Sequence, residues 1–203
     1  LHLLSRRQRQ MCIRDSSASI ESWYGKLTGH FGESSAVSAF YLKNVQGLDG
    51  NSVDPSIKGA HVHAWGAGAT IDLGDSGLNI DGDFIQTRGN RDLGHANLWT
   101  AGLNYGKVDL NKPGSFTLGV HYVRADAGAY LLGNSALDMT DQLEYGWDNG
   151  TGVKFWVAKA GVAVQKNVEL DAYYNFGAKA FDRYDDSTKD PANTWGVELN
   201  YAF

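Results

Sequence analysis

The sequence predicts an all-β chain: an antiparallel transmembrane β-barrel, represented by an incomplete C-terminal portion of about nine strands. Three observations carry this. From about residue 22 onward, segments of ~10 residues alternate apolar with polar or small side chains, the period of a strand with two unlike faces. The connections between them alternate short and long. No window approaches the ~20 consecutive apolar residues that a membrane helix needs. A chain of this kind can cross a bilayer only as a closed barrel, which leaves no backbone group unpaired in lipid.

Composition permits this reading without demanding it. Hydrophobic residues make up 42% and mean hydropathy is −0.35, values that suit a water-soluble chain equally well, so the pattern must decide. Glycine is abundant (25), proline scarce (3) and aromatics reach 12%, as in strand-rich barrels. Cys12 is the single cysteine, which excludes a disulfide framework and a thiolate metal cluster. Arg6 to Ser16 reads RRQRQMCIRDS and resembles a translated transposase sequencing adapter. Residues 1–16 are therefore expected to be non-native, leaving 17–203 as one partial barrel domain. A basic signal-peptide segment would be followed by a continuous apolar run, and none follows Arg14. Setting aside the segment's net +3 moves the chain from −5 to −8. So acidic a remainder argues against nucleic-acid binding.

Taken in chain order, strands at about 22–31 and 35–43 are the least regular. Next, Trp65, Ala67, Ala69, Ile71 and Leu73 oppose Gly66, Gly68 and Thr70. Leu78, Ile80, Gly82 and Phe84 oppose Asn79, Asp81 and Asp83. Trp99, Ala101, Leu103 and Tyr105 oppose Thr100, Gly102 and Asn104. Phe116, Leu118, Val120 and Tyr122 oppose Thr117, Gly119 and His121. Trp156, Ala158, Ala160, Val162 and Val164 oppose Lys159, Gly161, Ala163 and Gln165. Val168, Leu170, Ala172, Tyr174 and Phe176 oppose Glu169, Asp171, Tyr173 and Asn175. Finally Trp195, Val197, Leu199, Tyr201 and Phe203 oppose Thr194, Glu198 and Asn200. The first set on each strand is expected to face lipid and the second a wet lumen. A charge at Leu118 or Val162 should then harm assembly, and one at Thr117 or Ala163 should not.

The connections 32–34, 72–77, 109–115 and Lys166-Asn167 are short; 44–58, 88–96, 125–151 and 178–192 are medium to long. Short periplasmic turns opposite long outer loops are the outer-membrane pattern. Counted back from the C-terminus, nine strands start the first one outside the cell. Bacterial barrels hold an even strand number, so at least one further strand is expected upstream. Leu199, Tyr201 and the terminal Phe203 resemble the signal read by the barrel-assembly machinery, although Glu198 occupies the usual glycine position and the glycine is Gly196. Trp23, Trp65, Trp99, Trp156 and Trp195 fall near strand ends, where aromatic girdles mark membrane interfaces.

Two stretches, YGKVDLNKPGSFTLGVHYVRADAG (Tyr105 to Gly128) and VELDAYYNFG (Val168 to Gly177), resemble the barrel of the S-layer-homology-domain porins of diderm Firmicutes. The likeness spans most of residues 58–203. It implies a C-terminal pore preceded by a coiled-coil stalk and a peptidoglycan-gripping domain, neither of which these residues carry, so peptidoglycan is a partner only through a missing N-terminal domain. Porins are usually trimers, which makes a homotrimer a further implied partner.

Other constellations read more simply as structure. Gly74-Asp75-Ser76-Gly77 spells a serine-protease string but supplies turn residues between strands. His61 and His63 are two ligands where zinc needs more, and suit a pore mouth. Asp81/Asp83 and Glu169/Asp171 could serve glycoside hydrolysis, but neighbours on one strand are more simply pore charges. Lys159 lies within diagonal reach of Asp171. In 125–151, Ser135 is a candidate helix N-cap, with Asp138, Asp141 and Glu144 at helical spacing. This loop either folds back as an acidic constriction or stands solvated outside; both remain open. The expected pore-lining residues are Asp81, Asp83, Asn104, His121, Lys159, Glu169, Asp171 and Glu198. The expected function is passive diffusion of small hydrophilic solutes through an outer-membrane porin, with no enzyme activity, cofactor or metal. A non-conducting anchor between outer membrane and wall is the alternative.

Overall fold

A computed structural model describes residues 22–32, 35–44, 62–89, 95–129, 141–143, 145–146, 150–182 and 188–202. The segment 1–16, His61, Ser135, Asp138, Glu144 and Phe203 lie outside the described residues.

Alternating sequence produces strands where it predicts them. They are β1 (Ser22–Phe31), β2 (Ser35–Asn44), β3 (Val62–Asp72), β4 (Leu78–Gly89), β5 (His95–Gly106), β6 (Phe116–Ala125), β7 (Gly152–Gln165), β8 (Val168–Phe181) and β9 (Thr194–Tyr201). They form one antiparallel sheet in sequence order, each strand bonded to its chain neighbours. Such a meander needs only local connections. β1 and β9 each have one neighbour and are not bonded to each other. Both run from the long-connection edge to the short-turn edge, so direct pairing between them would be parallel.

The short turns are tied down by their own polar residues and by one another. Asp72 Oδ1 accepts from the Gly74 N–H at 2.9 Å, and Gly74 and Gly77 adopt φ of 70° and 69° around a single 3₁₀ turn. This is the GDSG string, and it is a turn. Asp109 Oδ1 accepts from the Asn111 N–H at 2.9 Å. That bond, chiefly, holds the exposed Asp109 carboxyl below its usual range, and Lys112 adds to it. The two-residue turn Lys166-Asn167 places Asn167 at φ 63°, a conformation asparagine tolerates. The Asp72 N–H reaches Ser35 Oγ (2.9 Å), Gly106 reaches the Gly77 carbonyl (2.8 Å), Asn167 reaches Leu110 (2.9 Å) and Ala202 reaches Asn167 (2.9 Å). One edge of the sheet is thereby stitched from turn to turn.

The two faces differ as the alternation requires. One, the bare face, exposes Leu27, Trp65, Ile80, Leu103, Leu118, Val120, Tyr174, Val197 and Leu199. Its aromatics form a row near the long-connection edge, with ring centroids 4.9 Å apart for Tyr122–Trp156, 5.2 Å for Trp99–Tyr122 and 5.3 Å for Trp65–Phe84. A second aromatic pair, Tyr105–Phe116, lies toward the short turns. All five tryptophans singled out above belong to this face. So does His63, whose ring lies beside Tyr41, so that it does not line the opposite side.

The other, packed face is uniform in the sequence reading and divided in the structure. Toward the short turns it is polar. Toward the long connections it is the hydrophobic core, with Ala96, Val123, Ala125, Val153, Phe155 and Val157 all buried. The reason is the 125–151 connection. Residues 141–143 and 145–146 are helical, and Leu143, 2% exposed, joins this core with Ala129. Gln142 Nε2 donates to the Ala192 carbonyl (2.8 Å) and Thr194 Oγ1 (3.3 Å), and Tyr145 Oη donates to the Lys189 carbonyl (2.5 Å). The described part of the connection thus packs back onto the sheet and does not stand wholly in solvent. Ala163 also departs from expectation. It is 0% exposed beneath the 109–115 turn, exchanging backbone bonds with Gly114 (2.7 Å) and Ser115 (2.9 Å), so it offers no room for a long side chain.

Candidate functional site: the polar wall of the packed face

Register assembles the polar wall. Asp81 stands opposite Gly102, and Gly102 opposite His121; one pair toward the short turns, Asn79 faces Asn104 and Asn104 faces Gly119. Four polar side chains from three adjacent strands therefore meet on one face. Asn104 Nδ2 donates to Asn79 Oδ1 (3.0 Å) and to Asp81 Oδ1. His121 Nε2 lies 2.9 Å from Asn104 Oδ1, and its Nδ1 lies 3.4 Å from Asp81 Oδ2. His121 is nearly buried (9% exposed), so these bonds replace its water. Lys159 stands beside Gly119 and Tyr173 in the next pairs along.

Glycine makes the close packing fit. A Cβ added at Gly102 would lie 2.3 Å from His121 Nδ1, and one at Gly119 would lie 2.3 Å from Asn104 Oδ1. The same device recurs for directly opposed pairs elsewhere on this face: Asp83 over Gly68, Phe40 over Gly66, Asp171 over Gly161 and Tyr173 over Gly196. Each large side chain lies flat across the neighbouring strand. The polar groups consequently line the wall and do not project from it. Gly102→Ala should therefore force the imidazole off Asp81 and Asn104, costing about 1–3 kcal/mol as overpacking does. Gly29→Ala, where an added Cβ meets nothing within 4 Å, is the control. Urea midpoints compare them, and equal midpoints would refute the packing argument.

A second polar group lies nearer the short turns. Asp171 pairs with Gly161 and Glu198, Glu169 with Asn200. Asn200 Nδ2 donates to Asp171 Oδ2 (2.8 Å). The position a Cβ would take at Gly161 is 2.6 Å from Asp171 Oδ1 and 3.2 Å from Glu169 Oε1, so these two carboxylates converge on one strand. Lys159 and Asp171 are diagonal neighbours, as the turn length predicts.

The structure thus brings together Asp81, Asn104 and His121, with Lys159 adjacent, and groups Glu169, Asp171 and Glu198 separately. Asp83 stays apart from Asp81's cluster, its N–H 3.2 Å from Thr100 Oγ1. Asp141 is exposed on the helical stretch. Leu199 and Tyr201 are on the bare face, 66% and 60% exposed. Asn79 and Asn200 were assigned to this face by parity without being singled out; their role appears only once register fixes the cross-strand partner. Gln142 and Thr194, fifty-two residues apart, share no local signal. Compared with known proteins, the chain matches no family model and no curated sequence.

Proposed function

We propose that this sheet is part of the wall of an outer-membrane β-barrel, with the bare face toward lipid and the packed face toward a pore that passes small hydrophilic solutes or ions by diffusion. The observation that carries this is the exposure of a whole apolar face. Leu27, Leu103, Leu118, Val120, Trp195, Val197 and Leu199 are all about half exposed or more, bounded by aromatics, and the polar wall lies opposite. Water is a poor solvent for such a face, and monomeric soluble proteins seldom leave one so large uncovered. Short stitched turns at one edge and long connections at the other support the same orientation. On this reading the barrel-assembly machinery and membrane lipid are partners, a homotrimer is one route to covering part of the face, and any wall contact belongs to another domain. Chemistry is not part of the proposal: the polar groups are bonded to one another along the wall.

A second reading has its own support. Leu143 and Phe155 fill the packed face toward the long connections, and a filled interior suits a non-conducting anchor. Reversal potentials of the full-length protein in a planar bilayer under a KCl gradient separate the two. The pore reading expects modest cation preference, because every strand carboxylate has packed-face parity, including Glu169, Asp171 and Glu198 at the short-turn end. Rings of carboxylate concentrate cations. The preference should fade between 0.1 and 1 M salt as the Debye length falls from ~10 to ~3 Å. Anion preference at low salt would refute the charge argument, and absence of conductance would favour the anchor.

A further inference from the structure

Charge is segregated between the faces. Asp72, Asp81, Asp83, Glu169, Asp171 and Glu198, the carboxylates of the described strands, all share the packed face. The cations do the opposite. Lys43, Arg88, Arg124, Lys154 and Lys179 have bare-face parity, and only Lys26 and Lys159 turn to the packed side. The bare-face cations also stand in rows. Lys43 opposes His63, His63 opposes Arg88 and Arg88 opposes His95; farther along, Arg124 opposes Lys154 and Lys154 opposes Lys179.

Their height is specific. On β2, β3, β6 and β7 the basic residue stands two positions beyond an aromatic of the same face, toward the long connections: Lys43 beyond Tyr41, His63 beyond Trp65, Arg124 beyond Tyr122, Lys154 beyond Trp156. On β4, Arg88 Nε donates to Gln86 Oε1 (2.9 Å), which also accepts from Trp65 Nε1 (3.2 Å). Arg124 sits 4.3 Å over the Phe181 ring. The acids nearest the belt are already engaged: Asp126, 3.9 Å from Arg124, accepts from the Asn97 N–H and side-chain amide, and Asp190 accepts from the Ala180 N–H beside Lys179.

We propose that this belt binds the phosphate-bearing headgroups of lipids in the leaflet on the long-connection side. The inference rests on the membrane reading above and adds a ligand class to it. Five cations in two rows span strands β2 to β8, roughly 30 Å at ~4.8 Å per strand. The second row stands four residues nearer the short turns, the offset between His95 and Trp99 on β5, and the aromatics step by the same amount from Trp65 to Trp156, as a plane of headgroups crossing tilted strands requires and a compact acidic protein does not. Arginine meets phosphate with paired N–H groups, and lysine meets it as a point charge. Both side chains carry apolar stems long enough to lift their charges from an aromatic row to the interface.

The test folds the full-length protein into vesicles of phosphatidylcholine with a minor fraction of phosphatidic acid, extracts it and measures the retained lipid. Phosphatidic acid should be enriched about fivefold over its bulk ratio, what a single basic side chain near an anionic surface supplies. The variant K43Q/R88Q/R124Q/K154Q/K179Q should retain it at the bulk ratio, while the packed-face control K26Q/K159Q should enrich it as the parent does. Equal enrichment by the five-site variant, or none by the parent, would overturn the inference and leave the membrane reading standing. Failure of all three chains to insert, seen as absence of a heat-modifiable band, would overturn both.

Discussion

Leu118→Arg should impair assembly of the full-length protein into a heat-modifiable, membrane-inserted form, while Thr117→Arg, one residue away, assembles as the parent does. Leu118 is half exposed on the bare face, opposite Tyr105 and Ala160 and between Phe116 and Val120. In lipid, an arginine near the midplane costs ~2–4 kcal/mol, a large share of the ~5–15 kcal/mol by which folded proteins are stable. Thr117 has the opposite parity. It faces Gly106 and Gly161, so a longer side chain has space, with Asp171 and Glu169 beside Gly161 to receive a guanidinium. Gel mobility with and without heating reads the result. Equal tolerance at the two positions would mean that the bare face does not contact lipid.

Phe155→Ala should destabilise the sheet by about 3–5 kcal/mol, the usual cost of emptying a buried phenylalanine site. Phe155 is fully buried on the packed face, directly opposite Val123 and in the cluster that receives Leu143. A uniformly wet wall would make this substitution nearly neutral. The structure makes it both a core deletion and the removal of the shelf on which Leu143 rests. Urea unfolding should show a lower midpoint. Amide exchange at Gln142 and Leu143 should accelerate in the native state, because Leu143 loses its apolar seat and the Gln142 bonds to Ala192 and Thr194 are then left to hold the segment alone. An unchanged midpoint would remove the packed core from the account.

These two substitutions divide what the sequence made legible from what it did not. Strand positions and facing followed from alternation, because a period of two leaves no freedom once one face is apolar. Alternation alone therefore puts Leu118 and Thr117 on opposite faces. The end of the packed face near Phe155 was not legible. Val153, Phe155 and Val157 stand among Trp156 and Ala158, so both parities of this stretch are apolar, which signals burial on two sides without naming the covering element. The cover includes Gln142 and Leu143, held through bonds from Gln142 to residues about fifty positions away, and no local pattern encodes such contacts. The polar cluster lay between these cases. Alternation puts Asp81, Asn104 and His121 each on the polar side of its strand. Their convergence depended on cross-strand register, which the turn lengths constrain but alternation alone does not determine.

The opposed pairs of glycine and large side chain have a bearing on how such a wall can change over generations. At Gly102–His121, Asn104–Gly119 and Tyr173–Gly196, bulk on one strand is matched by its absence on the next. A new side chain at the glycine has no place until its opposite number shrinks. The heritable unit is then the pair, not the position. Lineages could exchange which strand bears the bulk, or move a polar group sideways by one strand, while keeping the thickness of the wall. Single replacements at either member would be filtered out before that exchange is complete. Substitutions in this wall should therefore be inherited as doublets joined across a hydrogen-bonded ladder, even where the two positions lie far apart in the gene.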